Sequence, residues 1–437
     1  MEHGRRAILG LALMGGMSRV LAAPPRNPQA VLDAELAAIA NDPVCQLSSV
    51  SVLAIRQGKV VYQKELGQRY LGGGGVGPKP ANHRTLYRIA SISKMMTTLG
   101  AMLLVEQGKL ALDTDIGDYL GFAVRNPGFP QRALTLRALL THTSTLRDTA
   151  GYSWPIGEPI SKVLEAGSAA WAANAPPGDY FTYSNLNWGV IGTIMEKVTN
   201  ERFDLLMKRL LLDPLGMRGG YYPGAFSAEE LDNTATLYRK RTTDTEIWNS
   251  AGPWIAQVDD YHSKAPVRPD GIANYQPGIN ATPFSPTGGL RVSAADMGKV
   301  MLMLMNRGRH EGRVIFKPAT LARMFTRQWT ADGKGGNGDT DKGLFNAWGM
   351  GNQHFLDQPG MQMVEDGGFA GVGHLGEAYG LMSVFAADLE RKNGMIVLVG
   401  GVSSDPAAYK GKHSAMARFE ERILTALHRR AILGSAA

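Results

Sequence analysis

A serine and a lysine stand one helical turn apart in the segment RIASISKMMTTLG, residues 88–100. Ser91 and Lys94 form the only S-x-x-K in the chain, and residues at i and i+3 share one face of a helix. A serine hydroxyl becomes an effective nucleophile when a base takes its proton. Lysine can be that base only if its pKa falls from about 10.4 towards neutrality, which burial promotes. The apolar flank of the helix predicts such burial: Ile92, Met95, Met96, Leu99, Met102 and Leu103.

A tyrosine and an asparagine occur two residues apart in PPGDYFTYSNLNWG. Tyr183 and Asn185 form the only Y-x-N in the chain, and in an extended segment their side chains point the same way. A phenol near a lysine can shuttle a proton, and an amide can hold a substrate carbonyl. Taken alone, the pattern favours a buried tyrosine in a turn.

A third polar position, His374, precedes an apolar run near the C-terminal end. His374 and Gly376 are again two residues apart, and the glycine predicts close approach of a ligand to the backbone. Another histidine, His142 in LLTHTSTL, stands beside a predicted helix end. We expect a structural hydrogen-bonding role for His142 rather than a catalytic one.

The composition excludes several classes of function. Hydrophobic residues make up 44% and charged residues 19% of 437 residues, which is typical of a globular protein. The net charge is +7 but the basic residues are scattered, so nucleic acid is not an expected partner. Cys45 is the single cysteine, and the nine histidines show no metal-binding spacing. We therefore expect no metal and no cofactor.

The N-terminal residues 1–22 resemble a secretory signal peptide. The sequence MEHGRRAILGLALMGGMSRVLAAPP has a basic head, an apolar stretch and small residues before a cleavage point after Ala22. The stretch is short for a membrane span, which needs roughly 20 residues. We expect an exported, periplasmic protein with no membrane span after processing. The pair Arg5-Arg6 hints at the twin-arginine route, and a retained N-terminal anchor is the alternative.

Strand patterns lie at both ends of the chain and helical patterns lie between them. Residues 50–56 and 60–65 predict a hairpin, and residues 380–387 and 395–402 predict strands around a turn at Asn393-Gly394. Helices are predicted over 91–106, 134–141, 160–173, 190–198, 202–212, 294–305 and 413–428, and residues 226–286 are expected to be mainly loop. This order predicts an α+β fold: an antiparallel sheet built from both chain ends, flanked by helices, with an inserted helical region.

The three motifs, in this order, resemble those of the penicillin-recognising serine hydrolases. That family includes class C β-lactamases, D-Ala-D-Ala carboxypeptidases, D-aminopeptidases and related esterases. Supporting phrases such as YRIASISK, LTLRALLTHTSTL and PTGGLRVSAAD extend the resemblance over residues 33–425. It implies a β-lactamase/transpeptidase-like fold, with the sheet region at about 33–90 and 340–430 and the helical region at about 95–285.

The resemblance also implies roles for the motif residues. Ser91 would be the acylated nucleophile, Lys94 its base and Tyr183 the proton shuttle. Asn185, His374 and Gly376 would bind substrate, and the backbone N–H groups of Ser91 and Glu377 would form the oxyanion hole. The expected activity is cleavage of a small-molecule ester, amide or peptide.

The substrate class is open because His374 stands where β-lactamases and transpeptidases usually have lysine. A histidine with a pKa of about 6.5 is mostly neutral at pH 7, so we expect weak attraction for a substrate carboxylate, and lysine-like behaviour below that pH. The alternatives are a true class C-type β-lactamase or D-Ala-D-Ala carboxypeptidase, and a sensor that is acylated without turnover.

Overall fold

Mostly apolar and almost entirely buried residues along the central strands cover both faces of one sheet. The computed structural model of the chain describes residues 28–242 and 247–434. In strand Ser49–Arg56, Val52 and Ala54 contact one core cluster and Leu53 and Ile55 contact another. Side chains alternate between the two faces of a strand, so each face is covered by its own helices.

The sheet has nine strands, and neighbouring strands are antiparallel. Val50 of the first long strand lies opposite Val399 of the last, so the two chain ends meet in the middle of the sheet. This arrangement confirms the predicted α+β fold with a sheet built from both ends. In spatial order the strands are Trp329–Thr330, Ala347–Trp348, Gln353–Phe355, Gly371–Ala378, Leu381–Asp388, Asn393–Val399, Ser49–Arg56, Lys59–Tyr70 and Lys79–Pro80.

Short strands form three smaller sheets around the main one. In the first, Leu237–Arg239 lies between Gly401–Val402 and Ile255–Val258. The other two each have two strands: Tyr87–Arg88 with Arg291–Val292, and Arg309–His310 with Arg313–Val314.

Helices cover both faces of the main sheet and form the inserted region. Pro28–Ala40 and Arg418–Ala426 pack on one face, whereas Ile92–Glu106 and Ala294–Met305 pack on the other. The remaining α-helices are Ile116–Leu120, Leu136–Leu140, Ile160–Val163, Leu186–Thr199, Phe203–Met207, Ala228–Asp232 and Pro318–Phe325. Within residues 28–242 and 247–434, no helix has both the length and the apolar character needed to cross a membrane.

Two local predictions were wrong. The helix expected over 160–173 ends at Val163, because the chain turns near Gly167 and Trp171 then forms a β-bridge with Leu146. The turn expected at Asn393-Gly394 is shifted, since Asn393 already pairs with Asp388 and the loop comprises residues 389–392. The signal peptide predicted over residues 1–22 lies outside the described residues.

Ile92–Glu106, which we call the serine helix, runs through the interior between the sheet and the helical region. Each residue from Ile92 to Leu104 is buried, including the polar Ser93, Lys94, Thr97 and Thr98. Ser91 is its N-cap residue, and the preceding Ala90 has a left-handed φ of +44°. The chain therefore bends sharply just before Ser91 and presents it at the start of the helix.

Candidate active site

The serine and lysine predicted to react together are in contact. Lys94 Nζ lies 2.8 Å from Ser91 Oγ, as the i, i+3 spacing predicts. The lysine is fully buried beneath the serine. Its Nζ also donates to Asn185 Oδ1 at 2.7 Å and to the carbonyl oxygen of Thr287 at 3.1 Å. Two fixed acceptors, the Asn185 and Thr287 oxygens, thus hold the amine against the hydroxyl.

Burial lowers the pKa of Lys94 to about 7, and the negative charge of Asp148 opposes this shift only partly. Desolvation disfavours the ammonium form, which is the usual route by which a lysine becomes a base near neutral pH. A large share of Lys94 is therefore neutral at pH 7, and a neutral amine 2.8 Å from a hydroxyl can accept its proton.

Tyr183 covers the lysine. Lys94 Nζ lies 4.9 Å from the centroid of the tyrosine ring. Burial raises the pKa of Tyr183 above its usual range, although the nearby Ser91 hydroxyl opposes the rise. The phenol therefore stays protonated, which suits a group that relays a proton rather than one that acts as a phenolate base.

Asn185 is held by a residue that the motifs did not reveal. The carboxylate of Asp148 accepts hydrogen bonds from the Asn185 side chain at 2.8 Å and from the Asn185 and Leu186 backbone N–H groups at 3.0 and 2.9 Å. It also accepts from Ser184 Oγ. Asp148 thereby caps the helix Leu186–Thr199 and turns Asn185 Oδ1 towards Lys94.

Gly376 lies in strand Gly371–Ala378, which we call the edge strand. A Cβ on Gly376 would meet Ser383 Oγ and would come within 2.5 Å of the Ile89 carbonyl oxygen and 3.1 Å of Ser91 N. The glycine is therefore needed for close approach of the protein's own backbone. We expected the space beside this glycine to admit a ligand, but atoms of the protein fill it. The close approach places the strand beside the backbone N–H of Ser91.

Part of the edge strand is unpaired on the side opposite to Leu381–Asp388. Gln353–Phe355 pairs only with residues 371–373, and no other described strand continues that side along 374–378. Unpaired backbone N–H and C=O groups can bind an extended ligand. Glu377, the other oxyanion-hole residue expected from the resemblance, lies in this stretch.

His374 is almost completely buried and neutral. Its Nδ1 donates to the Leu375 carbonyl oxygen, which leaves Nε2 as the acceptor. That Nε2 has no hydrogen-bond partner within the part of the chain that the structure describes. Burial, with a smaller contribution from the charge of Lys94, lowers the pKa of His374 to about 3. The expectation of lysine-like behaviour below pH 6.5 was therefore wrong, because this imidazole sheds its proton far below neutrality.

One cleft of about 570 Å³ joins these groups. Lys94 lies beneath it, and six of the seven predicted site residues line it: Ser91, Tyr183, Asn185, His374, Gly376 and Glu377. In residues 28–242 and 247–434, no group of three or more His, Cys, Asp or Glu residues is placed to hold a metal ion. The arrangement places a serine hydroxyl against a buried amine, with a neutral phenol above both.

The fold and the site define the class of protein. Residues 37–416 match the model of the family described as Beta-lactamase, and the chain belongs to that family. It is a family of serine hydrolases.

The curated relatives are distant. Penicillin-binding protein 4* of Bacillus subtilis is 27% identical over 228 residues, which cover 50% of this chain and 44% of that protein. Protein Rv1367c of Mycobacterium tuberculosis is 28% identical over 315 residues, with 66% and 70% covered. The D-alanyl-D-alanine-carboxypeptidase/endopeptidase AmpH of Escherichia coli is 29% identical over 146 residues, with 32% and 37% covered. The chain thus spans under half the length of two of these three relatives.

Solved structures share the fold. The octameric penicillin-binding protein homologue from Pyrococcus abyssi aligns with a TM-score of 0.62 and 24% identity, covering 93% of this chain and 77% of that one. The D-amino acid amidase from Ochrobactrum anthropi in complex with D-phenylalanine aligns with a TM-score of 0.60 and 18% identity, covering 91% and 99%. At these identities the likeness supports the β-lactamase-type fold and no particular substrate.

Proposed function

We propose that this chain is an exported serine hydrolase that cleaves an ester or amide bond through an acyl-serine intermediate on Ser91. The observation that carries the proposal is the contact between Ser91 Oγ and the buried amine of Lys94, whose pKa is lowered to about 7. A base matched to the working pH contributes about 10²- to 10⁴-fold to the rate of such a reaction.

The first half of the reaction acylates the serine. Neutral Lys94 takes the proton of Ser91 Oγ as the oxygen attacks the substrate carbonyl carbon. The backbone N–H groups of Ser91 and Glu377 hold the resulting oxyanion, a type of contact worth about 3 kcal/mol per donor. Tyr183 then passes its phenolic proton to the departing alcohol or amine and regains one from Lys94. The bond to the leaving group breaks, and the acyl group stays on Ser91.

The second half releases the acyl group. Water replaces the leaving group, gives a proton to the Tyr183–Lys94 pair and attacks the ester carbonyl. Collapse of the second oxyanion breaks the bond to Ser91 Oγ, which recovers its proton. Asn185, fixed by Asp148, is placed to bind the substrate carbonyl or amide.

The charges around the site favour substrates without a carboxylate beside the scissile bond. His374 is neutral, and the guanidinium of Arg88 is engaged by Asp259 at 3.1 Å. The lysines that line the cleft, Lys342 and Lys410, are exposed. Among the described residues that line the cleft, a carboxylate next to the reacting carbonyl would therefore meet no fixed, unpaired cation of the kind that a lysine at position 374 would supply.

A panel of purified-protein assays tests the proposal. It comprises short-chain esters, D-amino acid amides, a D-Ala-D-Ala peptide and a chromogenic cephalosporin. We expect turnover of esters or amides to exceed that of the cephalosporin. Efficient cephalosporin turnover would favour a true β-lactamase, and a stable acyl group on Ser91 without product release would favour a sensor.

Export is a separate part of the proposal and rests on residues 1–22 of the sequence. Mass spectrometry of the protein made in a bacterial host should find the N-terminus near Ala23 in the periplasmic fraction. Unprocessed Met1 on the protein in that fraction would contradict cleavage of the leader.

A further inference from the structure

The turn that follows the edge strand contains an unfavourable residue. Ala378 lies opposite Leu381, so the hairpin is closed by two residues, Tyr379 and Gly380. Both have left-handed φ values, +56° and +95°. Two-residue turns of this kind favour Asn-Gly, because asparagine and glycine tolerate a positive φ whereas a bulky side chain does not.

Packing does not compensate for the strained conformation of Tyr379. Its side chain is 46% exposed. Its ring contacts the Arg88 guanidinium, which lies 5.7 Å from the ring centroid and is itself fixed by Asp259. The phenol is thus held in place without being buried. Strained residues cluster at active sites and ligand clamps, and this one borders the cleft that contains Ser91.

Tyr379 lines the same cleft as Ser91, three residues beyond Gly376. A second half-exposed tyrosine, Tyr152, lines the cleft from the helical region, just after the short helix that carries Asp148. Burial raises the pKa of the Tyr152 phenol, and Tyr379 adds a smaller contribution across the cleft. Two aromatic side chains, one from the sheet and one from the helical region, therefore border one cleft.

We propose that Tyr379 and Tyr152 form an aromatic subsite that binds a flat aromatic group of the substrate, so that the preferred substrates are esters or amides with an aryl ring in the acyl or leaving group. Aromatic rings gain from stacked or edge-to-face contacts beyond simple burial of area. This inference rests on the proposed function for the reaction itself, and it deepens that function by naming the substrate class.

Matched ester pairs test the subsite. Ethyl phenylacetate is compared with ethyl cyclohexylacetate, and benzyl acetate with cyclohexylmethyl acetate, so that each pair differs only in whether its six-carbon ring is flat. The wild-type kcat/KM should be about tenfold higher for the aryl member of at least one pair. Tyr379→Asn should remove most of this preference and should raise the Tm, because asparagine relieves the positive φ.

Two further variants separate the subsite from general effects. Tyr152→Leu should also reduce the aryl preference, but without the rise in Tm. Tyr409→Leu replaces a tyrosine of similar exposure that does not line the cleft, and it should leave the preference unchanged. A rise in Tm for Tyr379→Asn with an unchanged aryl preference would overturn the proposal.

A binding measurement keeps this inference distinct from the proposed reaction. Calorimetry on the Ser91→Ala background, which lacks the proposed nucleophile, should show tighter binding of phenylacetamide than of cyclohexylacetamide, and the added Tyr379→Asn change should make the two affinities equal. Equal affinities with Tyr379 intact would overturn the subsite even if the esters are turned over by the wild type. Absence of ester turnover by the wild type together with tighter phenylacetamide binding would count against the reaction and support the subsite.

Discussion

His142 and Tyr183 lie ring against ring, with their centroids 4.4 Å apart and their planes 28° from parallel. The same histidine bonds to the backbone on both sides of the tyrosine: its carbonyl oxygen accepts from Thr182 N at 2.9 Å and its Nδ1 from Ser184 N at 3.0 Å. Phe345 stacks near the tyrosine as well, at 4.7 Å. His142, in a left-handed conformation with φ +57°, therefore fixes both the ring and the backbone of Tyr183.

His142→Asn tests this positioning role. Asparagine tolerates the positive φ and can keep an acceptor for Ser184 N, but it loses the stacked ring. We expect kcat to fall about tenfold or more with little change in KM, since small displacements of a reacting group are costly. In a Tyr183→Phe background the same substitution should have almost no further effect on kcat.

The control for this variant is His428→Asn, which changes another buried histidine that packs on Phe369 far along the chain. It should leave kcat unchanged. A loss of kcat for His142→Asn that is equally large with and without the Tyr183 hydroxyl would show that His142 merely supports the fold.

Lys94 and Tyr183 should act as one unit for proton transfer. Lys94→Ala and Tyr183→Phe are each expected to lower kcat by several orders of magnitude, and the double variant should be little worse than the poorer single one. The measurement is steady-state kcat for all four proteins with one ester. Multiplicative losses would indicate that the two groups serve independent steps.

The pH dependence of turnover should follow the protonation state of Lys94. Protonated Lys94 cannot accept a proton, so kcat/KM should rise with pH through the pKa of about 7 and then level. The charge of Asp148 stabilises the ammonium form, so Asp148→Asn should move this acidic limb to lower pH while reducing the maximum rate. Asp118→Asn, at an exposed position, is the control. If the acidic limb of the kcat/KM profile moved to higher pH in Asp148→Asn, or did not move, the assignment of that limb to Lys94 would be contradicted.

His374 should not act as a pH switch for substrate choice. With a pKa of about 3 it stays neutral from pH 5 to pH 8, so the ratio of cephalosporin to ester kcat/KM should be constant over that range. His374→Lys should raise the ratio by supplying a cation for the substrate carboxylate. A wild-type ratio that climbs as the pH falls below 6.5 would mean that the imidazole is protonated.

The sequence predicts the site best where the geometry is local. Ser91 and Lys94 meet because residues three apart lie about one helical turn apart. The resemblance to the family predicts that Tyr183, Asn185 and the edge strand surround them. Asp148 and Thr287 could not be found in this way. Asp148 binds donors 36 to 38 residues further along the chain, and Thr287 contributes a backbone oxygen that carries no side-chain signature.

Other differences also arise from tertiary contacts. The pKa of His374 depends on its burial and on the charge of Lys94, neither of which its neighbours in the chain reveal. The turn is not at Asn393-Gly394, although this dipeptide favours turns, because Asn393 pairs with Asp388 and so belongs to the strand. Tyr379 looks ordinary in the sequence, because neither its positive φ nor its position in the cleft has a local sequence signature.

Covalent labelling of Ser91 tests the central claim most directly. The purified protein is treated with a serine-directed aryl phosphonate, and the adduct is located by peptide mass spectrometry. We expect one label per chain, on Ser91, at a rate that rises with pH through about 7 as Lys94 loses its proton. Ser91→Ala should show no label and an unchanged Tm. A label that persists in Ser91→Ala, or that maps to another residue in the wild type, would contradict the account.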